Sequence, residues 1–203
     1  MIFNFTTNYQ FTNILTLKNE AIEILDNTRL LGTITSDDLR WDLNTANIVK
    51  KANARMELLR RVASFSPPIE DLKNIYYLFV RSLLEQSATV WHSSLTEENT
   101  NDIERVQKSA VRIILGDAYG GYKKSLAKLD MGSLKERRKQ LCLNFALKCR
   151  KNPKTKDMFP ENSKLHQMVT RNNEKFKVNH ANTERYKNSA IIYMQNLLNE
   201  NVK

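Results

Sequence analysis

Glycine, proline and cysteine are all scarce in this chain: five, four and two in 203 residues. So little glycine and proline excludes collagen-like and low-complexity classes. Two cysteines cannot build a disulfide framework, which makes a reducing compartment the expectation. Long apolar runs are missing as well. None approaches the roughly 20 residues that a bilayer-spanning helix needs, so no membrane is expected as a partner. The opening MIFNFTTNYQ has neither a basic n-region nor an apolar h-region, so no secretory signal is read there. The expected setting is intracellular, cytoplasmic or nuclear. His92, His166 and His180 are far apart, with no HExxH or HxH spacing and no CxxC–CxxC pair, which argues against a metal centre. Gly120-Gly121 lacks the Lys-Ser/Thr and the strand–loop–helix setting of a phosphate loop. No active site and no small-molecule substrate are indicated.

Positive charge is present in quantity: the net formal charge is +10. It is unevenly placed. Residues 1–48 hold three basic side chains against six acidic ones, whereas residues 121–156 hold twelve basic against Asp130 and Glu136. A field of that size attracts phosphates and other polyanions.

With 41% hydrophobic residues the chain has material for a core. The expected fold is mainly α, with a short N-terminal antiparallel β-sheet of about three strands. Phe11–Leu17, Ala21–Leu25 and Arg29–Thr35 are β-rich runs separated by Lys18-Asn19-Glu20 and Asp26-Asn27. Beyond Asp37 the period becomes helical, with Ile48, Ala52, Leu59 and Val62 on one stripe that stops before Ser66-Pro67-Pro68. A long, central, buried helix is expected from about Ile69 to Trp91, with Tyr76, Tyr77, Phe79 and Trp91 as packing residues. Thr96 is placed to cap a third helix carrying Ile103, Val106, Ala110 and Ile113, which Gly116 closes. Tyr122–Leu129 reads as a short helix. Ser133–Glu136 is a capping box opening a helix from Leu134 to about Lys151. These patterns divide the chain into a β-rich part (1–36), a helical domain (37–152), a polar flexible linker (153–183) and a C-terminal helix (184–203) with a Tyr186, Ile191, Met194, Leu197, Leu198 stripe.

Asp37-Asp38 is an adjacent aspartate pair of the kind two-metal catalysis uses. That chemistry needs a further ligand from another strand, and nothing marks one, so capping of the next helix is the expected role. Cys142 and Cys149 are seven apart on one helix, roughly 10.5 Å, too far to bridge. The basic residues are the remaining signal. Arg105, Lys108 and Arg112 are spaced i, i+3, i+7; Lys50, Lys51 and Arg55 crowd the first helix; Arg137 and Arg138 open another. Such rows track a phosphate backbone and read charge and shape, not base identity.

Several segments resemble, in order, the non-LTR (LINE-type) retrotransposon reverse transcriptases. Arg29-Leu-Leu-Gly-Thr-Ile-Thr-Ser-Asp-Asp-Leu-Arg-Trp41 resembles their Leu-Gly strand and following Leu-x-Trp. Ala52-Asn-Ala-Arg-Met-Glu-Leu-Leu-Arg-Arg61 looks like their "KA…RLxLLRR" helix. Tyr77-Leu-Phe-Val-Arg-Ser-Leu-Leu-Glu-Gln-Ser-Ala-Thr-Val-Trp91 looks like "Y…xxRPxLEYxxxVW". Asp102-Ile-Glu-Arg-Val-Gln-Lys-Ser-Ala-Val-Arg-Ile-Ile-Leu-Gly116 looks like "LExxQxxAxRxIxG". Thr183-Glu-Arg-Tyr-Lys-Asn-Ser189 and Leu197-Leu-Asn199 resemble the closing segment of jockey-like elements. Ser82 and Gln86 depart from the family's usual Pro and Tyr.

The resemblance implies that residues 11–35 end a palm and residues 42–150 form the thumb and the helices beyond it. The family's magnesium-binding Tyr/Phe-x-Asp-Asp lies upstream of the Leu-Gly strand, so the expectation is a truncated RNA-directed DNA polymerase fragment without catalysis or cofactor of its own. Its implied partner is RNA or an RNA–DNA hybrid, held through Lys50, Lys51, Arg55, Arg105, Lys108, Arg112, Arg137 and Arg138. Two alternatives stand beside it: a basic helical module that docks an acidic protein, and a transposon-derived product without function, whose apolar strands lack a palm to pack on.

Overall fold

The computed structural model describes residues 16–21, 23, 25–162 and 175–201. The chain is mainly α-helical, with short antiparallel β-structure at the start and a helix at the end. Strands β1 (Thr16–Leu17) and β2 (Glu20–Ala21) pair across Lys18-Asn19, both with positive φ. Strands β3 (Asn27–Leu30) and β4 (Thr33–Ser36) pair in the register Asn27↔Ser36 to Leu30↔Thr33. The run Arg29–Thr35, expected as one strand, is thus a hairpin. Leu31 (φ 48°) and Gly32 (φ 86°) turn it, in the two-residue geometry whose twist suits antiparallel strands. Most of the expected Phe11–Leu17 strand lies outside the described residues. Among the described residues of Ala21–Leu25, only Ala21 is in a strand.

Helix α1 (Asp42–Ala63) buries Ile48, Ala52, Met56 and Leu59, and the Ile34 N–H donates to Asn44 Oδ1 at 3.1 Å, which seats β4 on its first turn. Asp37 and Asp38, expected from the sequence to cap it, do not. Asp37 Oδ1 accepts from the Asp38 N–H (2.7 Å) and Asp38 Oδ1 from the Arg40 N–H (2.9 Å), so the pair closes a turn ahead of the helix.

The long helix expected over 69–91 is interrupted twice. Helix α2 (Ile69–Ile75) widens into a π-helical segment, Tyr76–Arg81, before α3 (Ser82–Glu85). The chain then breaks at Gln86-Ser87, with Ser87 left-handed (φ 54°), and resumes as α4 (Ala88–Trp91) and a 3-10 turn, His92–Ser94. Alternating apolar residues carry no sign of this break. What holds it is the fully buried Trp91, whose indole N–H donates to the Gln86 carbonyl at 3.0 Å and satisfies a group the helix has released. Phe79, expected in the core, lies in the π-helical segment and is 39% exposed.

Helices α5 (Glu97–Leu115), α6 (Tyr122–Lys128) and α7 (Leu134–Lys151) follow the sequence pattern closely. The Asn99 N–H donates to Thr96 Oγ1, Gly116 takes φ 50° after α5, and Ser133 with Glu136 forms a complete capping box. One core unites α1, the 69–91 helices, α5 and the start of α7; a second holds Cys142, Ala146 and Cys149 of α7 against Phe159, Phe176, Met194, Leu197 and Leu198. The 153–183 stretch, expected as a linker on the surface, is docked at both described ends. Its two phenylalanines, Phe159 and Phe176, are the anchors. Around them the Asn162 N–H donates to the Lys175 carbonyl (2.9 Å) and the Lys177 N–H to that of Pro160 (2.9 Å). The C-terminal helix is in two pieces, α8 (Glu184–Lys187) and α9 (Ala190–Asn201). Tyr186 and Ile191, expected on its core stripe, are 48% and 37% exposed, and Ile192 is buried instead.

The capping box fixes where α7 begins. Replacing Ser133 by Ala removes the acceptor for the Glu136 N–H and is expected to cost about 1 kcal/mol, read as a lower urea midpoint with an unchanged m-value.

Candidate nucleic-acid interface

The outer face of α5 carries the clearest basic row. At about 100° per residue, Arg105, Lys108 and Arg112 lie within an arc of about 60°, opposite the buried side made by Ile103, Val106, Ala110 and Ile114. All three are exposed. Arg105 is bonded to Asp102 one turn back, an exposed pair of small energetic weight. Lys108 has no acidic partner among the described residues. The Arg112 guanidinium lies 5.2 Å from the ring centroid of Tyr119, which holds it over the end of the helix.

On α1 the three predicted cations are all exposed but divide between two directions. Lys51 and Arg55 stand one turn apart on one side. Lys50 is turned about 100° from Lys51 and about 140° from Arg55. Arg60 and Arg61, further along, are each 3.4 Å from an oxygen of the same Glu57 carboxylate, so the three leave one net positive charge.

Arg137 leaves this set. It is bonded to Glu85 across the α3–α7 junction, and Arg81 reaches the same carboxylate at 3.6 Å. Arg138 must be removed from it altogether, because the side chain is completely buried. Sequence spacing carries the reason: it lies four residues after Leu134 and four before Cys142, on the buried row of α7. Its Nε–H donates to His92 Nδ1 at 3.4 Å, and its guanidinium sits 5.8 Å from the Trp91 ring centroid. Both terminal nitrogens lack a hydrogen-bond partner among the described residues. Burial lowers the pKa of Arg138, while the charges of Glu104 and Glu85 act in the opposite direction and hold the cation in place. A cation so placed fixes the packing of α7 on the 88–94 turn and reaches no external phosphate.

The same burial, with the neighbouring charges of Arg138 and Lys135, depresses His92 to about 4. His92 also meets Tyr193 of α9 edge-on, at 5.7 Å between ring centres. Burial pushes the Cys142 thiol up to about 11, and both cysteines are buried and free, so neither is a ready nucleophile. His166 lies outside the described residues. No cluster of three or more His, Cys, Asp or Glu that could hold a metal ion occurs among the described residues, and no helix there is long and apolar enough to cross a membrane.

Compared with known proteins, the chain matches no family model, no curated protein and no solved structure.

The buried His92 gives a pH dependence of definite sign. Its folded-state pKa is below the ordinary 6.5, so only the unfolded chain takes up its proton as the pH falls through that value. Stability from this residue is therefore full above about pH 6.5 and is lost progressively down to about pH 4, for a total of about 3 kcal/mol. His92→Gln keeps an acceptor for Arg138 without a titrating group. The difference between wild type and variant in urea titrations at stepped pH is expected to shrink over that window, and a constant difference would show that His92 does not titrate as its surroundings dictate.

Proposed function

We propose that this chain is the post-catalytic, thumb-like part of a non-LTR (LINE-type) retrotransposon reverse transcriptase, and that it grips RNA or an RNA–DNA hybrid through the phosphate backbone without reading sequence. The observation that carries the binding half is the α5 row, where Arg105, Lys108 and Arg112 project from the face opposite the core over about 10.5 Å of helix. The family half is supported by the ordered resemblance of the segments from Arg29 to Asn199. Several of their most characteristic residues, Trp41, Leu59, Trp91 and Gln107, are buried, as residues that hold one folded unit together should be.

Catalysis is not assigned to this chain. Asp37 and Asp38 each commit a carboxylate oxygen to a backbone N–H in the turn before α1, which supports a structural role for the pair. Magnesium chemistry, in this reading, belongs to carboxylates upstream of the Leu-Gly segment. The interface consists of cations that are both exposed and free of acidic partners among the described residues: Lys50, Lys51, Arg55, Lys108 and Arg112, with Arg105 as a weakly paired sixth.

Binding of purified protein to a short RNA–DNA hybrid, titrated from about 50 to 300 mM salt, tests the proposal. If the five free cations each neutralise one phosphate, log K falls with log salt at a slope of about −4.5. The double change Lys108→Glu with Arg112→Glu is expected to lower the slope by about 2. Arg138→Met should leave the slope alone and alter stability only. A slope near zero, or affinity no higher than for heparin, overturns the proposal.

A further inference from the structure

The turn between α1 and α2 carries a set of residues that nucleic-acid binding does not use: Arg60-Arg61-Val-Ala-Ser64-Phe-Ser-Pro-Pro68. Helix α1 ends at Ala63, and Ser64, Phe65 and Ser66 beyond it are all exposed. Phe65 is 83% exposed, the most of any aromatic side chain among the described residues. Arg60 and Arg61 stand in solvent as well and share the single Glu57 carboxylate. Of all the serines and threonines in the sequence, Ser64 alone has a lysine or arginine three residues before it. In a chain with 32 such basic residues, that spacing singles out one hydroxyl.

Cations at fixed places ahead of a hydroxyl, with an apolar residue after it, suit a protein kinase whose cleft is acidic and ends in an apolar pocket. Such a cleft takes an extended chain, in which Arg61 stands about 10 Å from the acceptor. In the fold the same stretch is the last turn of α1. The Ser64, Phe65 and Ser66 N–H groups donate to the carbonyls of Arg60 (3.1 Å), Val62 (3.1 Å) and Ala63 (3.0 Å), and the Ser64 hydroxyl donates to that of Arg61 at 2.7 Å. Solvent-exposed bonds at a helix end are the ones that open most readily. Opening them leaves the buried Ile48, Ala52, Met56 and Leu59 in place. Once the turn closes again, Arg60 and Arg61, four and three residues back, are neighbours of Ser64 on the helix surface. A phosphate there gains two guanidinium partners, which offset its position at the negative end of the helix dipole.

We propose that Ser64 is a phosphorylation site for a protein kinase that reads basic residues ahead of its acceptor. The donor is a nucleoside triphosphate. Ser64 Oγ attacks the γ-phosphorus, a new O–P bond forms as the bond to the bridging oxygen breaks, the nucleoside diphosphate leaves, and the hydroxyl proton passes to the kinase's base. Ser64 is nine residues beyond Arg55, about 13.5 Å along the helix axis, more than a Debye length in 0.1 M salt. The modification is therefore separate from the cations proposed to grip nucleic acid.

Incubating the full chain with magnesium-ATP and the catalytic subunit of cyclic-AMP-dependent protein kinase, then mapping by peptide mass spectrometry, tests the proposal. One phosphate per chain is expected, on Ser64, and none in Ser64→Ala. Arg61→Gln should slow incorporation about tenfold, and Ser66→Ala should leave it unchanged. All three positions are exposed, and equal thermal melts establish that each variant keeps the fold. A free peptide spanning Leu59–Ile69 is the unfolded reference. Phosphorylation of the peptide but not of the chain shows that the fold withholds Ser64, and overturns the proposal. So does incorporation at another residue in place of Ser64, indifference to Arg61→Gln, or no incorporation into either.

Discussion

Gln107 is buried in the middle of α5, and both ends of its amide are engaged: Oε1 accepts from the Tyr76 hydroxyl at 2.7 Å, and Nε2 donates to the Tyr122 hydroxyl (2.9 Å) and the Gly132 carbonyl (3.0 Å). The Tyr122 hydroxyl in turn donates to Glu104, whose same oxygen accepts the Leu134 N–H at 3.2 Å. One side chain therefore sets the positions of the π-helical segment, the start of α6 and the start of α7. A buried amide left unpaired is costly, so alternative packings of those three elements are penalised together. Burial also drives the Tyr76 and Tyr122 hydroxyls well above their ordinary range, aided for Tyr122 by its bond to Glu104, which keeps both protonated as the network requires. The surface features depend on this arrangement. The α5 row faces outward because Gln107 faces inward, and α7 starts where it does because Glu104 and Ser133 fix its first turn.

Sequence patterns were most informative where one local rule decides the outcome. Thr96, Gly116 and the Ser133–Glu136 box are short-range chemistry, and the limits of α5 and α7 follow from them. The basic row of α5 was legible for the same reason, since helical spacing alone places three residues on one face. The interruptions of the 69–91 helix were not legible. They depend on the indole of Trp91 reaching back to the Gln86 carbonyl, on Ser82 Oγ donating to the Leu78 carbonyl at 2.6 Å, and on packing against α1 and α7. A hydrophobic stripe gives no account of where the turns loosen.

Arg138 and Arg137 show the difference on adjacent residues. Composition reads both as surface charge. Periodicity, applied to α7 as strictly as to α5, places Arg138 on the row of Leu134, Cys142 and Cys149, and that signal was in the sequence. The fate of Arg137 was not, because its partner Glu85 is 52 residues away and on a helix whose end is set by the break. Phe159 and Phe176 belong to the same class. In a polar stretch they look incidental, yet Asn199 of α9 clasps both the N–H and the carbonyl of Phe176, and Gln195 bonds the Met158 carbonyl and the Asn179 N–H.

Helix α7 serves two cores at once, its first turns with α5 and its later ones with α9. That makes it a seam between two cooperative units of unequal size. The second unit, built from one half-helix, two phenylalanines and α9, has few buried side chains, so its local opening requires far less than global unfolding. Amide exchange along this single helix would then be graded: slow near Leu134, where the Gln107 network grips, and faster beyond Cys142, with the change falling inside an unbroken run of helical hydrogen bonds. The continuity of a helix is thus no measure of the continuity of its stability.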